Sequence, residues 1–374
     1  MVGVRASLAH SFEYHLASVS TLCVLGNVEQ ARAEGCSQTV TMGHISGAKA
    51  GQGRRTAIGC QNGGMTAPPA NAASATFGVH TPSAPALALL LDVDGPVASP
   101  LTRDVKPAII ADLVALATAG IPVIFNTGRS DAFIREQVME PMIAAGMPSG
   151  TLIHAICEKG AVWFSYTAAG PGPIHVDREL AVPAAYGDDI RRMVAEDYSS
   201  HMFFDETKRA MVSVEQHIEV PNSEYLAEQA LFDAEAMELM QRHGLGVVRL
   251  DHHAPNSDDE IDYRVDPTII STDIESVRLG KDLGASRAVE LLAAQGITPQ
   301  AWRTVGDSRT DYAMADWLHH NDHPVKHVDV RPADGVPVKP YPILTATDLG
   351  LEETVIHDDA GAAFLRSWLD ALVG

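Results

Sequence analysis

The run Leu87-Ala88-Leu89-Leu90-Leu91-Asp92-Val93-Asp94-Gly95-Pro96-Val97 decides how this chain is read. Apolar residues lead into an aspartate, a second aspartate follows two places on, and Gly-Pro breaks the run. A short continuous apolar run before such a break reads as a buried parallel strand ending in a loop. Carboxylates just past a strand's C-terminal end sit in the crevice where open α/β sheets bind ligands. Side chains at i and i+2 point the same way, and two like charges that close repel unless one is protonated or a cation lies between them. The pair therefore points to a metal site, an acid/base pair, or both. An Asx turn capping the strand makes the same string, so the choice rests on the rest of the chain.

The same pattern recurs outward from this stretch. Residues 104–119 have helical apolar spacing (Ile109, Leu113, Leu116, Ala117) and stop at Gly120. Ile121-Pro122-Val123-Ile124-Phe125 is a second buried strand, followed at once by Asn126-Thr127-Gly128-Arg129 and a helix over 131–145 capped by Ser130 or Asp131. Strands are expected at 152–156 and 162–166, then a Gly-Pro-rich linker at 168–173. Beyond it the order changes: helix 186–198, a strand pair at 202–204 and 210–215, a long helix at 223–243, and strands at 246–250 and 262–265 around an acidic loop at 251–260. That order suggests an α+β unit with an antiparallel sheet. The alternation then returns with helix 283–295, strand 301–305 ending in Gly306-Asp307-Ser308-Arg309-Thr310-Asp311, helix 311–319, strand 325–330 and a closing helix at 360–372. The expected fold is α/β: a doubly wound parallel sheet with right-handed crossovers, interrupted by a second domain. Its boundaries are placed at 86–167, 168–268 and 269–374.

Length and composition agree with this. The chain has 374 residues, 46% hydrophobic and 20% charged, which allows two domains. It has no run of eighteen apolar residues, so no membrane-spanning helix is expected. A net charge of −21 argues against a nucleic-acid backbone as partner. Residues 1–85 differ from the rest: up to residue 65 they hold only Glu13, Glu29 and Glu34 as acids, and they contain Cys23, Cys36 and Cys60. They match neither a transit peptide nor a secretory signal. They are expected to be a disordered extension or sequence upstream of a true start at Met65, and the body is expected in the cytoplasm.

Taken together the sequence offers Asp92-x-Asp94, Thr127, Lys281 and Gly306-Asp307-x-x-x-Asp311, three of the four after a predicted strand. In that order they resemble the four motifs of the haloacid dehalogenase superfamily of phosphohydrolases, over residues 86–374. The insert between the second and third motifs resembles the C2 cap of the Cof-type and sucrose-phosphatase-like branch. The resemblance implies a Rossmann-like core with an α+β cap, and a Mg²⁺-dependent phosphatase for a small phosphorylated metabolite, with a sugar phosphate the best single guess. A phosphomutase of the same superfamily is the alternative, and a non-catalytic phosphate-ester binding protein is a more distant one.

The resemblance also implies roles. Asp92 resembles the nucleophile that forms an aspartyl-phosphate, and Asp94 the group that protonates the leaving oxygen and later activates water. Thr127 and Lys281 would hold the phosphoryl oxygens, with Gly128 and Arg129 beside them at the substrate. Asp92, Asp307, Asp311 and the Asp94 backbone carbonyl fit a hard Mg²⁺ ion.

The chain departs from the pattern at Pro96, where relatives carry Thr or Val, so a slightly altered loop is expected. It departs again at Glu158-Lys159-Gly160-Ala161, where relatives have Asn in place of Lys159. That lysine either meets an anionic ligand or is an exposed turn. Lys208 and Arg209, between two predicted cap strands, either meet a second anionic group or cover a solvated turn. His319, His320, His323 and His327 have a spacing that fits no closed metal site, and His252-His253 read as part of a solvated loop.

Overall fold

A computed structural model describes residues 84–373. The extension expected at 1–85 lies outside the described residues up to position 83, as does Met65.

The first part of the chain supplies β1 (Ala88–Leu91), α1 (Pro107–Thr118), β2 (Val123–Asn126) and α2 (Asp131–Ile134). A π-turn at Arg135–Met139 runs α2 on into α3 (Glu140–Ala144). Then come β3 (Ile153–Cys157), β4 (Val162–Thr167) and the short β5 (Gly170–Pro171) and β6 (His175–Val176). The last part returns with α6 (Lys281–Ala293), β13 (Trp302–Gly306), α7 (Tyr312–His320), β14 (Val325–Asp329), β15 (Ile343–Leu344) and α8 (His357–Val373). The sheet order is β15-β14-β13-β1-β2-β3-β4-β5, parallel from β15 to β3 and antiparallel at the β4 edge. Every side chain of β1 is buried, because helices cover both faces. One face packs Leu89, Leu91, Phe125 and Leu113 with α8 residues such as Phe364. The other packs Leu90, Ile124 and Trp302 with Leu292 and Met314. This is why these strands read as unbroken apolar runs.

Between the two parts lie α4 (Ala184–Met193), β7 (Met202–Phe204), β8 (Val212–Gln216), α5 (Asn222–Arg242), β9 (Val247–Arg249), β10 (His252–Ala254), β11 (Tyr263–Pro267) and β12 (Ser271–Ser276). They form a second sheet, ordered β10-β9-β11-β12-β8-β7, which is antiparallel except between β9 and β11. Val212, Val214, Val265 and Ile274 on one face pack against Tyr186, Ile190, Tyr225, Phe232 and Met240 of α4 and α5. By strand alternation the other face carries Ser213, Glu215, Arg264, Asp273 and Glu275.

Two sequence expectations change here. Residues 170–176, expected in the insert, pair with β4 of the first sheet, while 271–276, expected in the core, form a strand of the second. The Ser-Thr-Asp-Ile-Glu-Ser sequence of β12 gives little apolar alternation because its outward face is a charged floor rather than core. The acidic loop at 251–260 contains β10, which folds back on β9. Among the described residues no helix is long and apolar enough to cross a membrane.

Candidate active site

Register brings the motifs together. Leu91 stands beside Phe125 of β2 and Val305 of β13, so Asp92, Thr127 and Asp307 leave the same edge of the sheet. α6 (Lys281–Ala293) then places Lys281 over that edge. One carboxylate oxygen each of Asp92, Asp307 and Asp311 lies within 4.8 Å of the others.

The Lys281 ammonium sits 2.6 Å from Asp92 Oδ1 and 2.8 Å from Asp311 Oδ1. Its third contact is the Asn126 backbone carbonyl at 2.9 Å, and the Asn126 side chain in turn donates to the Lys281 carbonyl. Burial works against the charged lysine, but Asp311 and Asp92 hold its pKa above the ordinary value. Burial pushes the Asp92 carboxyl well up, and neighbouring Asp311 and Asp94 add to this against the pull of Lys281. Asp307 is likewise raised by burial and by Asp311. Asp311 goes the other way: despite burial, Lys281 and the Ser308 hydroxyl and amide hold its carboxyl below the usual range. Its Oδ2 accepts from the Asp307 and Ser308 amides and from Ser308 Oγ.

These contacts separate two kinds of carboxylate. Asp311 has both oxygens engaged and acts as a strut between the loop and Lys281. Asp92, whose Oδ1 takes Lys281 and the Val93 amide, keeps Oδ2 without a partner among the described residues, and there the Asp307 carboxylate meets only His357 Nδ1 at 3.3 Å. Hard oxygen donors in this arrangement fit Mg²⁺. The fit needs Gly95: at φ +94° a Cβ there would come within 2.5 Å of the Asp307 carboxyl carbon. The Gly95–Ala98 loop closes through the amides of Gly95, Val97 and Ala98, so Pro96 sits in it without a missing bond.

Asp94 is held apart from the three. Its carboxylate takes Arg129 Nε at 2.9 Å and Nη2 at 2.8 Å, and the guanidinium also lies 4.8 Å from the Phe133 ring centre. Thr127 is fully buried, and its Oγ1 accepts from the Arg129 amide at 3.1 Å.

The second sheet closes over this edge. A cleft of about 700 Å³ lies between the two sheets, lined by Asp94, Gly128, Arg129, Lys208, Glu215, Asp273 and Asp307 among others. Lys208 reaches across it to the Gly128 carbonyl at 2.8 Å. Arg209 does not line the cleft; it pairs with Asp131 at 2.5 Å. Lys159 is neither an exposed turn nor a free cation, since it pairs with Glu275 at 2.7 Å and Asp273 at 3.2 Å on the second sheet's charged face. Burial opposes the charge, but those two acids raise its pKa. Buried Glu158 accepts from the backbone amides of Arg209, Ala210 and Met211, gripping the residues that lead into β8. Asn126, Glu158, Glu215 and His357 have places at the site that the sequence did not predict. Asn126 carried a signal as a polar residue ending an apolar strand next to Thr127, and Glu158 as the first residue of the stretch before the cap; Glu215 and His357 carried none.

No family model matches the chain, and no curated protein matches it. Among solved structures it is similar to a trehalose-6-phosphate phosphatase of Aspergillus fumigatus, at 17% identity, over 76% of this chain and 93% of that one, with a TM-score of 0.42. A haloacid dehalogenase-like hydrolase from Bacteroides thetaiotaomicron matches at 12% identity, over 75% and 98%, with a TM-score of 0.46. A phosphatase of the haloalkanoate enzyme superfamily from the same organism matches at 16% identity, over 80% and 99%, with a TM-score of 0.40. At such identities the likeness to solved structures concerns the fold alone.

Proposed function

We propose that the chain is a Mg²⁺-dependent phosphomonoesterase that hydrolyses a small phosphorylated metabolite, with a sugar phosphate the best candidate, by way of an aspartyl-phosphate on Asp92. The observation that carries this reading is the Lys281 ammonium between Asp92 and Asp311, with Asp307 beside them at the open edge of the sheet. Asp92 and Asp307 would hold the ion, which supplies charge neutralisation on the phosphoryl oxygens.

Asp92 Oδ2 attacks phosphorus while the bond to the leaving oxygen breaks, and Asp94 gives that oxygen its proton. Lys281 balances the charge that gathers between Asp92 and the phosphoryl group. Water then attacks phosphorus, passing a proton to Asp94, and the bond to Asp92 breaks to release orthophosphate. Arg129 keeps the Asp94 side chain aimed as it gives up and regains its proton. The cap shields these steps from bulk water, and the body of the chain is read as acting in the cytoplasm.

A screen of phosphorylated metabolites with and without Mg²⁺, paired with trapping of the phosphoenzyme, tests the reading. Native protein should label and Asp92→Asn should not; equal labelling of both would remove the covalent step.

A further inference from the structure

Beyond the motif residues, the cleft holds two charged side chains that nothing in the fold explains. Arg103 stands on the loop after β1 at φ +62°, a backbone conformation that costs a residue with a side chain and is usually left to Gly or Asn. Such strain gathers where a side chain has a task. The guanidinium has no hydrogen-bond or ion-pair partner among the described residues, yet it lines the cleft together with Asp94, Arg129 and Asp307. Across from it, half-buried Glu215 projects from the charged face of the second sheet, also without a partner. Burial raises the Glu215 pKa, while Arg129, Lys208 and Arg103 pull it down without any of them reaching bonding distance.

Their position is specific. The cleft of about 700 Å³ is joined by a smaller cavity of about 240 Å³, and Arg103, Arg129, Lys208 and Glu215 line both. Arg129 is committed to Asp94 and Lys208 to the Gly128 carbonyl. That leaves one group that can only donate and one that can only accept, facing the same space.

We propose that Arg103 and Glu215 read the hydroxyl groups of the leaving alcohol, so that the substrate is a polyol phosphate with neither a second acid nor an amine at that position. A second carboxylate or phosphate would satisfy Arg103 but meet Glu215 as a like charge. An ammonium would satisfy Glu215 but meet Arg103. Hydroxyls donate and accept, so a neighbouring pair satisfies both groups, and a site built on such bonds discriminates strongly against ligands that leave them unmade. This inference rests on the phosphatase reading above and narrows its substrate.

The test compares kcat/KM for glucose 6-phosphate, ribose 5-phosphate and sorbitol 6-phosphate with that for glucosamine 6-phosphate, 3-phosphoglycerate and p-nitrophenyl phosphate. A polyol phosphate should be the best substrate. Glu215→Gln and Arg103→Gln should each lower its advantage over p-nitrophenyl phosphate about tenfold or more, chiefly through KM. Should either variant fail to fold by its thermal midpoint, Glu215→Asp and Arg103→Lys take its place. An amino sugar phosphate or phosphoglycerate as best substrate overturns the assignment, as does an unchanged ratio in folded variants. Wild-type protein that hydrolyses none of the six, p-nitrophenyl phosphate included, overturns the phosphatase reading itself.

Discussion

Arg129 grips the Asp94 carboxylate with two nitrogens, Nε at 2.9 Å and Nη2 at 2.8 Å. A planar fork fixes the orientation of the carboxylate as well as balancing its charge. In Arg129→Lys the charge stays and the fork is lost. Turnover should fall by roughly tenfold to a hundredfold, on the scale of a displaced proton-transfer group, with KM changing less. Steady-state kinetics on the best substrate check this; full activity in Arg129→Lys would show that charge alone suffices.

Gly95 has to remain glycine for two reasons: its φ is +94°, and a Cβ would collide with the Asp307 carboxyl group at 2.5 Å. Since the neighbour is a proposed metal ligand, Gly95→Ala should displace it. We expect activity at least about a hundredfold lower, the scale of a loss of transition-state charge stabilisation, and a Mg²⁺ activation curve shifted to higher concentration. A curve at its original midpoint would mean Asp307 does not hold the ion.

The carboxylates of Asp92, Asp307 and Asp311 meet with a single cation, Lys281, between two of them. An ion that binds the folded state alone stabilises it by mass action. Saturating Mg²⁺ should raise the thermal midpoint by roughly 5 °C or more, and Asp307→Asn should lose most of that rise. Asp94→Asn should keep it while losing turnover, because its expected ligand is a backbone carbonyl. Equal loss in both variants would contradict the separate roles.

Glu158 accepts three backbone amides, from Arg209, Ala210 and Met211. In Glu158→Gln one of the two accepting oxygens becomes an NH₂ group that opposes a backbone donor, at a cost of about 1–3 kcal/mol. Chemical denaturation should show that loss. Amide exchange should also quicken at 209–211 before it does in β1.

His154 and His327 are buried, and burial lowers the pKa of each to about 4. Their ordinary value is about 6.5. The unfolded chain therefore binds more protons between those values, so the two residues cost nothing above about pH 6.5 and progressively oppose folding as pH falls toward 4. Each should cost on the order of 2 kcal/mol by about pH 5. Urea midpoints measured across that range should fall with pH, and more gently in His154→Gln. Parallel curves would mean the imidazole is protonated in the folded state.

The amino-acid sequence by itself determined the core and the edge where the motif residues gather. Strands buried on both faces must be apolar throughout, so β1, β2 and β13 announce themselves, and whatever polar residue ends each one marks the edge where Asp92, Thr127 and Asp307 meet. The spacing of Gly306, Asp307 and Asp311 carries the same local information. The cap was legible only as a change of pattern, because β12 turns one face to a charged cleft and so lacks the alternation that reveals a strand. Tertiary structure alone decided what the unpatterned charges do. Lys159 meets Glu275 across 116 positions of sequence, Arg209 meets Asp131 across 78, and Arg103 and Glu215 are left facing the same cavity. Charge pairing depends on distance in space, and the chain carries no periodic signal for it until two sheets have packed.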